Sequence, residues 1–342
     1  MTGPLSAVSP INDRSEVGVA RRAAAGLGET LGFDEIQTGK VALCVTEAAT
    51  NIVKHAGRGR ILLRTLERGR RRGIEMLALD KGPGIANLAA SLRDGTSTAG
   101  SPGTGLGALS RLSEAFDIYA PPGHGTALRL EVWARSDGDD TEPIEVGAVC
   151  TAKSGETVSG DAWGIEAAGS YQSVMVADGL GHGPDAHRAA VAATRVLGNR
   201  GADDPIAIVE ACHRALVPTR GAALAVARLA CNKSQGSFAG VGNIACRVEA
   251  GAQRRTLASH NGTVGHTMRR AQQFDFSFPS QALLILHSDG LATHWNLGEY
   301  PGLASRHPGV IAGVLYRDHE RGRDDATIIV IRNRAGGPIA QP

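Results

Sequence analysis

Apolar residues recur at helical spacing from Ser15 to Leu31 and again from about Phe33 to Ala56. In the second stretch Val41, Val45, Ala48, Ile52 and Val53 form one inward stripe. The period then shortens to that of strands. Arg60 to Glu67 and Gly73 to Asp80 read as two strands joined by an arginine-rich turn. Beyond a glycine-rich stretch, the spacing predicts a helix over Leu106 to Phe116 and a closing strand over Thr126 to Trp133. These elements predict an α/β sandwich with its helices on one face.

Apolar periodicity stops on both sides of the polar, acidic, turn-rich run from Ala134 to Pro143. Residues 1–134 and 144–342 are therefore expected to be separate domains, with 135–143 as the linker. The second half has a different rhythm. Val146 to Ala152, Trp163 to Ala168, Ser173 to Ala177, Ala223 to Leu229, Ser237 to Val241, Ile244 to Glu249, Ala282 to His287 and Thr327 to Ile331 are short strand-like runs. Pro184 to Leu197 and Pro205 to Leu216 are helical interruptions. Strands in succession with paired helices suggest a β-sandwich with flanking helices rather than a βαβ wind.

Composition adds limits. With 342 residues, 42% of them hydrophobic and 20% charged, the chain is long and apolar enough for two globular cores. Only 4% are aromatic, so those cores are expected to be built from Ala, Val, Leu and Ile. A formal net charge of +2 gives no reason to expect a nucleic-acid or membrane partner. The basic cluster Arg68, Arg70, Arg71 and Arg72 reads as a solvated hairpin tip, with an acidic partner surface as the alternative. Five scattered cysteines without a C-x-x-C pair suggest reduced thiols in a cytoplasmic protein. The N-terminus lacks the pattern of a signal peptide, and no apolar run approaches the roughly 18 residues of a membrane span.

Three separated motifs in the first half carry candidate chemistry. Glu47 and Asn51 lie four apart in Val45-Thr-Glu-Ala-Ala-Thr-Asn-Ile-Val-Lys-His55 and share a helix face. Asn51 can supply a neutral oxygen to Mg2+, and Glu47 can take a proton from an attacking hydroxyl. Asp80-Lys-Gly-Pro-Gly84 follows a strand, where the carboxylate can accept a hydrogen bond from an adenine amino group and Gly82 and Gly84 allow close backbone approach. Gly103-Thr104-Gly105-Leu106-Gly107 runs directly into a helix, the place for a phosphate cradle. Each motif alone is also what a solvated helix face or a surface turn would show.

Their order, followed by Gly125-Thr126, resembles the GHKL ATPase and kinase superfamily over roughly Val17 to Trp133. Within it, Asn51-Ile-Val-Lys-His-Ala-Gly57, Asp80-Lys-Gly-Pro-Gly-Ile85, Gly95-Thr-Ser-Thr and Arg111-Leu-Ser-Glu-Ala-Phe-Asp-Ile118 look most like the RsbT-type switch kinases. The resemblance implies a Bergerat-type α/β sandwich. It also implies Glu47 as catalytic base, Asn51 as Mg2+ ligand, Asp80 as adenine reader, and Gly82, Gly84, Gly103 to Gly107 and Thr126 as nucleotide contacts. Kinases of this kind phosphorylate Ser or Thr on small STAS-domain proteins.

In the second half acidic residues recur at strand ends: Ser159-Gly-Asp161, Val176-Ala-Asp-Gly-Leu-Gly-His-Gly183, His287-Ser-Asp-Gly-Leu291 and Arg323-Asp-Asp-Ala-Thr327. Asp-Gly alone is ordinary turn chemistry, but four such sites are less easily accidental. Hard oxygen ligands without a His or Cys cluster suit Mg2+ or Mn2+. Two such ions can activate a water for attack on a phosphomonoester. From about Glu145 to Asn333 the pattern resembles the PPM phosphatase superfamily in its SpoIIE branch, with Ala177 to Gly183, Gly240 to Ile244 and Asn261 to Gly265 closest to the RsbX type. That implies an αββα sandwich in which Asp178 and the Gly179 carbonyl bridge two metals, Asp161 serves one, and Asp289 and Asp324 serve the other. Asp325 competes with Asp324 for its role, and His182 is expected to be structural or to bond phosphate.

The two resemblances together imply an α/β (α+β) two-domain protein that acts as both a serine/threonine kinase and a metal-dependent serine/threonine phosphatase on a STAS-domain regulator. ATP, Mg2+ and Mn2+ would be its cofactors. The alternative is a phosphatase whose first domain only binds a partner or senses ATP.

Overall fold

The computed structural model describes residues 2–93, 105–134, 142–268 and 271–335. Gly95 to Thr98, Gly103, Thr104 and most of the expected linker lie outside the described residues.

The first half opens with strand β1 (Ala7–Ile11) and helix α1 (Arg14–Thr30). Asp13 caps α1: its side chain accepts from Ser15 N–H while Glu16 reaches back to the cap backbone. Helix α2 (Glu35–Asn51) begins on Asp34, whose carboxylate accepts from Gln37 N–H at 2.7 Å. It runs into a π-turn over Ile52–Ala56, closed by Gly57 N–H donating to the Ile52 carbonyl at 2.9 Å. Strands β2 (Gly59–Arg68) and β3 (Arg71–Asp80) form a hairpin with Arg68 paired to Arg71. Short helices α3 (Leu88–Ser91) and α4 (Leu106–Leu112) precede β4 (Ala115–Tyr119) and β5 (Thr126–Trp133). The expected helix to Phe116 therefore stops at Leu112. Phe116 and Ile118 turn one way and Asp117 and Tyr119 the other, which is strand alternation.

The five strands form one sheet in the order β1-β2-β3-β5-β4. Ile61, Leu63, Ile74, Met76, Leu128, Leu130 and Val132 face a core shared with Val41, Val45, Ala48 and Ile52 of α2 and its π-turn. The alternate residues Leu62, Arg64, Glu75, Leu77, Leu79, Arg129 and Glu131 are buried too, on the opposite face. Arg64 Nε and Arg129 Nε donate to the two Glu75 carboxylate oxygens at 2.6 and 2.7 Å. Arg129 also pairs with Glu131, which accepts from Arg68 at 3.0 Å and from Trp133 Nε1 at 2.8 Å. The arginine-rich hairpin is only partly a solvated tip: the Arg68 and Arg71 guanidinium groups stack 4.9 and 4.6 Å from the centre of the Trp133 ring.

The second half contains β6 (Ile144–Thr151), β7 (Asp161–Ala168), β8 (Tyr171–Gly179), α5 (Gly183–Arg200), α6 (Pro205–Leu216), β9 (Ala222–Ala230), β10 (Gln235–Val241), β11 (Ala245–Ala250), β12 (Gln253–Leu257), β13 (Phe274–Ser277), β14 (Leu283–His287), α7 (Pro308–His319) and β15 (Ala326–Asn333). Two five-stranded sheets, β13-β10-β9-β8-β7 and β12-β11-β14-β15-β6, enclose a core that includes Trp163, Val174, Val176, Phe238, Leu284, Leu286 and Ile329. Helices α5 and α6 cover the outer face of the first sheet through Ala190, Ala193, Leu197, Ile208 and Cys212. All five cysteines are free and buried.

Contacts sort the chain into two compact units that do not follow sequence order alone. One unit comprises Met1–Leu5, Thr141–Trp295 and Asp318–Pro342; the other comprises Ser6–Asp140 and Asn296–Arg317. The segment 296–317, which carries most of α7, thus belongs with the first-half sheet. It meets that sheet on the face bearing Arg129. Asp117 accepts from His307 N–H at 2.7 Å and from Arg306 at 3.2 Å, and Arg60 donates to the Tyr316 hydroxyl at 3.0 Å. A Cβ at Gly313 would lie 3.0 Å from the Leu79 side chain, so glycine sets how closely α7 approaches the sheet.

Candidate nucleotide and metal sites

Glu47 and Asn51 stand one turn apart at the end of α2, both half-buried. The π-turn that follows packs on β2 and β3. Its Ala56 lies so close to Gly82 that a Cβ there would sit 2.8 Å from the Ala56 Cβ, which brings the Asp80 loop beside the end of α2. Asp80 is 9% exposed, and its Oδ1 accepts from Gly82 N–H at 2.8 Å and Thr126 N–H at 3.1 Å. Burial pushes this carboxyl above the usual range, against the pull of those amides and of the Arg317 charge.

Gly84 lies in the turn after Asp80, where Ile85 N–H donates to the Ala120 carbonyl at 2.8 Å. Gly125 has φ +66, and a Cβ there would lie 2.2 Å from the Asp80 carbonyl oxygen, so only glycine lets the two loops touch. Gly105 caps α4, Leu106 and Gly107 form its first turn, and α4 packs on α2. Glu47, Asn51, Asp80, Gly82, Gly84, Gly105, Leu106, Gly107 and Thr126 are therefore carried by elements that meet around the C-terminal half of α2. Arg317 was not singled out from the sequence. Its guanidinium donates to the Asp80 carbonyl at 2.9 Å, and no local pattern marks a residue 237 positions away.

The carboxylates of the other unit come from strand ends. Asp161 opens β7, and Asp178 lies opposite it in the β8 register. Gly179 packs so tightly that a Cβ would lie 2.1 Å from the Ala186 carbonyl oxygen of α5. Ser288 Oγ donates to Asp161 Oδ2 at 2.6 Å, and Asn243 donates to Asp289 at 2.8 Å. Both groups lie inside motifs visible in the sequence, Asn243 within Gly240 to Ile244 and Ser288 within His287-Ser-Asp-Gly-Leu291, but the motifs alone do not mark them as supports for a carboxylate. Asp325 is buried and accepts from Lys153 N–H at 2.9 Å, whereas Asp324 is exposed and accepts from Asp325 N–H at 3.0 Å. His182 bonds Glu156 at 2.7 Å at the start of α5.

Burial and then the neighbouring charges of Asp161, Asp289, Asp324 and Asp325 push Asp178 up to about 9. Asp161 is pushed up to about 7, first by burial, with Asp325 and Asp289 adding and Ser288 opposing. Two oxygens, Asp161 Oδ1 and Asp325 Oδ2, are buried without a hydrogen-bond partner. Among the described residues no three His, Cys, Asp or Glu side chains converge tightly enough to hold one ion by themselves. The donor set nevertheless fits a hard divalent cation, because Mg2+ keeps several waters and takes only one or two carboxylates. Such a charge would satisfy the orphaned Asp161 oxygen and offset the mutual repulsion.

With this geometry in view, residues 12–132 match the model of the histidine kinase-like ATPase domain. The chain is 30% identical to the serine/threonine-protein kinase RsbT of Bacillus subtilis over 120 residues, which is 35% of this chain and 90% of RsbT. It is 24% identical to the phosphoserine phosphatase RsbX of the same organism over 163 residues, covering 45% of this chain and 77% of RsbX. The crystal structure of RsbX in complex with magnesium superposes with a TM-score of 0.50 and 22% identity, covering 57% of this chain and 97% of RsbX. A structure from work on the bacterial stressosome as a modular system adapted to control secondary messenger signalling gives a TM-score of 0.53 at 29% identity. It is covered in full by 56% of this chain.

Proposed function

Since the chain belongs through residues 12–132 to the histidine kinase-like ATPase family and joins that domain to a PPM-type phosphatase fold, we propose that it is a regulatory enzyme that both adds and removes phosphate on a protein partner. The reading assigns 1–134 to serine/threonine kinase activity, 135–143 to a linker, and 144–342 to metal-dependent phosphoserine/phosphothreonine hydrolysis. Its substrate is a STAS-domain protein, as expected of relatives of RsbT. The supporting observation is that one chain carries both an adenine-type acceptor, Asp80, and a separate cluster of mutually repelling carboxylates around Asp178. Among the described residues no helix is long and apolar enough to cross a membrane.

In the kinase half, Asp80 accepts from the adenine amino group while Gly82 and Thr126 hold its other oxygen. Glu47 takes the proton of the acceptor hydroxyl as that oxygen attacks the terminal phosphate. Asn51 and the phosphates would hold Mg2+, and Gly105 to Gly107 face the phosphates. In the phosphatase half, Asp161, Asp178, the Gly179 carbonyl, Asp289 and Asp324 would hold Mg2+ or Mn2+. Bound there, the ions supply an activated water and charge stabilisation for phosphomonoester hydrolysis. Ser288 and Asn243 fix the Asp161 and Asp289 carboxylates, which keeps the donors oriented before any ion arrives.

The test is mass spectrometry of a candidate STAS protein incubated with this chain, first with ATP and Mg2+, then with Mn2+ after ATP is removed. A phosphate that appears in the first step and disappears in the second is the expected result. Phosphate that never appears while aryl phosphate is still hydrolysed would reduce the first domain to a binding or sensing module.

A further inference from the structure

Asp80 is held from two sides. Its side chain takes Gly82 and Thr126 N–H groups, and its main-chain oxygen takes the Arg317 guanidinium at 2.9 Å. A Cβ on Gly125 would lie 2.8 Å from Arg317 Nη1, so the guanidinium also abuts the second loop of the same pocket. Tyr300, from the same segment as Arg317, places its ring 6.2 Å from that of His124 in that loop. The loops that carry Asp80 and Gly125 are therefore braced by residues far away in sequence.

We infer that Arg317 is a positioning residue for the nucleotide, holding the peptide that carries the adenine acceptor. The inference rests on the nucleotide reading above and adds a residue that holds its adenine acceptor in place. A charge-assisted bond to a backbone oxygen fixes the peptide that carries the adenine acceptor, which is a stronger constraint than a neutral contact.

The experiment uses the full chain and its variants Arg317→Ala, Arg317→Lys and Arg306→Ala. The quantity measured is the affinity for a non-hydrolysable ATP analogue with Mg2+. Arg317→Ala is expected to weaken the analogue about tenfold, with part of the loss recovered in Arg317→Lys because a donor is restored. Arg306→Ala, which removes a different contact of the same segment, is expected to keep near wild-type affinity. Equal weakening in Arg306→Ala, or undiminished affinity in Arg317→Ala, overturns the positioning role. If the wild type binds no nucleotide at all, the nucleotide reading fails first and this inference falls with it.

Discussion

Asp178 faces Asp161 across two paired strands and has Asp289, Asp324 and Asp325 as charged neighbours. Asp178→Ala is therefore expected to remove Mn2+-dependent turnover of p-nitrophenyl phosphate almost completely. Asp289→Ala, which disturbs one edge of the cluster, is expected to recover part of its rate at raised Mn2+ by mass action. Retained turnover in Asp178→Ala, or indifference of the wild type to EDTA, would exclude metal-dependent catalysis at this cluster. On the kinase side Glu47→Ala is expected to keep nucleotide affinity and lose roughly a hundredfold to ten-thousandfold in phosphotransfer rate, measured by radiolabel incorporation into the acceptor. Near wild-type transfer would place the base elsewhere. These positions were legible because acidic residues after apolar runs and ordered glycines leave a local mark. The choice between Asp324 and Asp325 was not, since adjacent residues share every pattern and differ only in burial, which the tertiary fold decides.

At the level of elements, the sequence marks amphipathic helices and hides α7. Residues Pro308 to Tyr316 are all buried, so no polar face repeats at helical period and no stripe stands out. β1 was missed for a related reason: its five residues are mostly exposed and alternate weakly. The buried charges beneath α7 escaped notice as well, because Arg64, Glu75, Arg129 and Glu131 look like the solvent face of ordinary antiparallel strands. Their burial has a measurable consequence. Desolvation alone would raise the Glu75 carboxyl, but Arg64 and Arg129 outweigh it and hold it down at about 2. In the unfolded chain it returns to about 4.5, so the unfolded state binds the proton first as pH falls. The pairing stabilises the fold fully above about pH 4.5 and is lost between there and about pH 2. The window is worth about 3 kcal/mol by the usual conversion. Urea midpoints from pH 6 to pH 3 are expected to fall more steeply in the wild type than in Glu75→Gln. Parallel curves would show that Glu75 contributes nothing to acid sensitivity.

On the scale of the whole molecule, the change of rhythm near residue 140 announced two kinds of fold but not how the chain is shared between them. Segment 296–317 is written in the sequence of the phosphatase half and folded onto the sheet of the other half. A recognition site for a specific protease placed within 135–141 offers a direct check. After cleavage the two pieces are expected to co-elute in gel filtration under native conditions and to separate only in denaturant, because Arg306, Tyr316 and Arg317 still grip Asp117, Arg60 and Asp80. Separation on cleavage alone would mean that these contacts do not hold the segment in place.

The same feature bears on how such a gene can be divided. A reading frame cut at the linker yields an N-terminal product whose sheet exposes Leu77 and Leu79 beside Arg129, a surface prone to aggregation. Expressed alone, that product is expected to be poorly soluble, and expressed beside the remainder it is expected to be rescued by complementation, with the missing layer supplied in trans. A fusion of this form is hard to reverse, because neither half of the split gene encodes all of the surface that the first sheet needs.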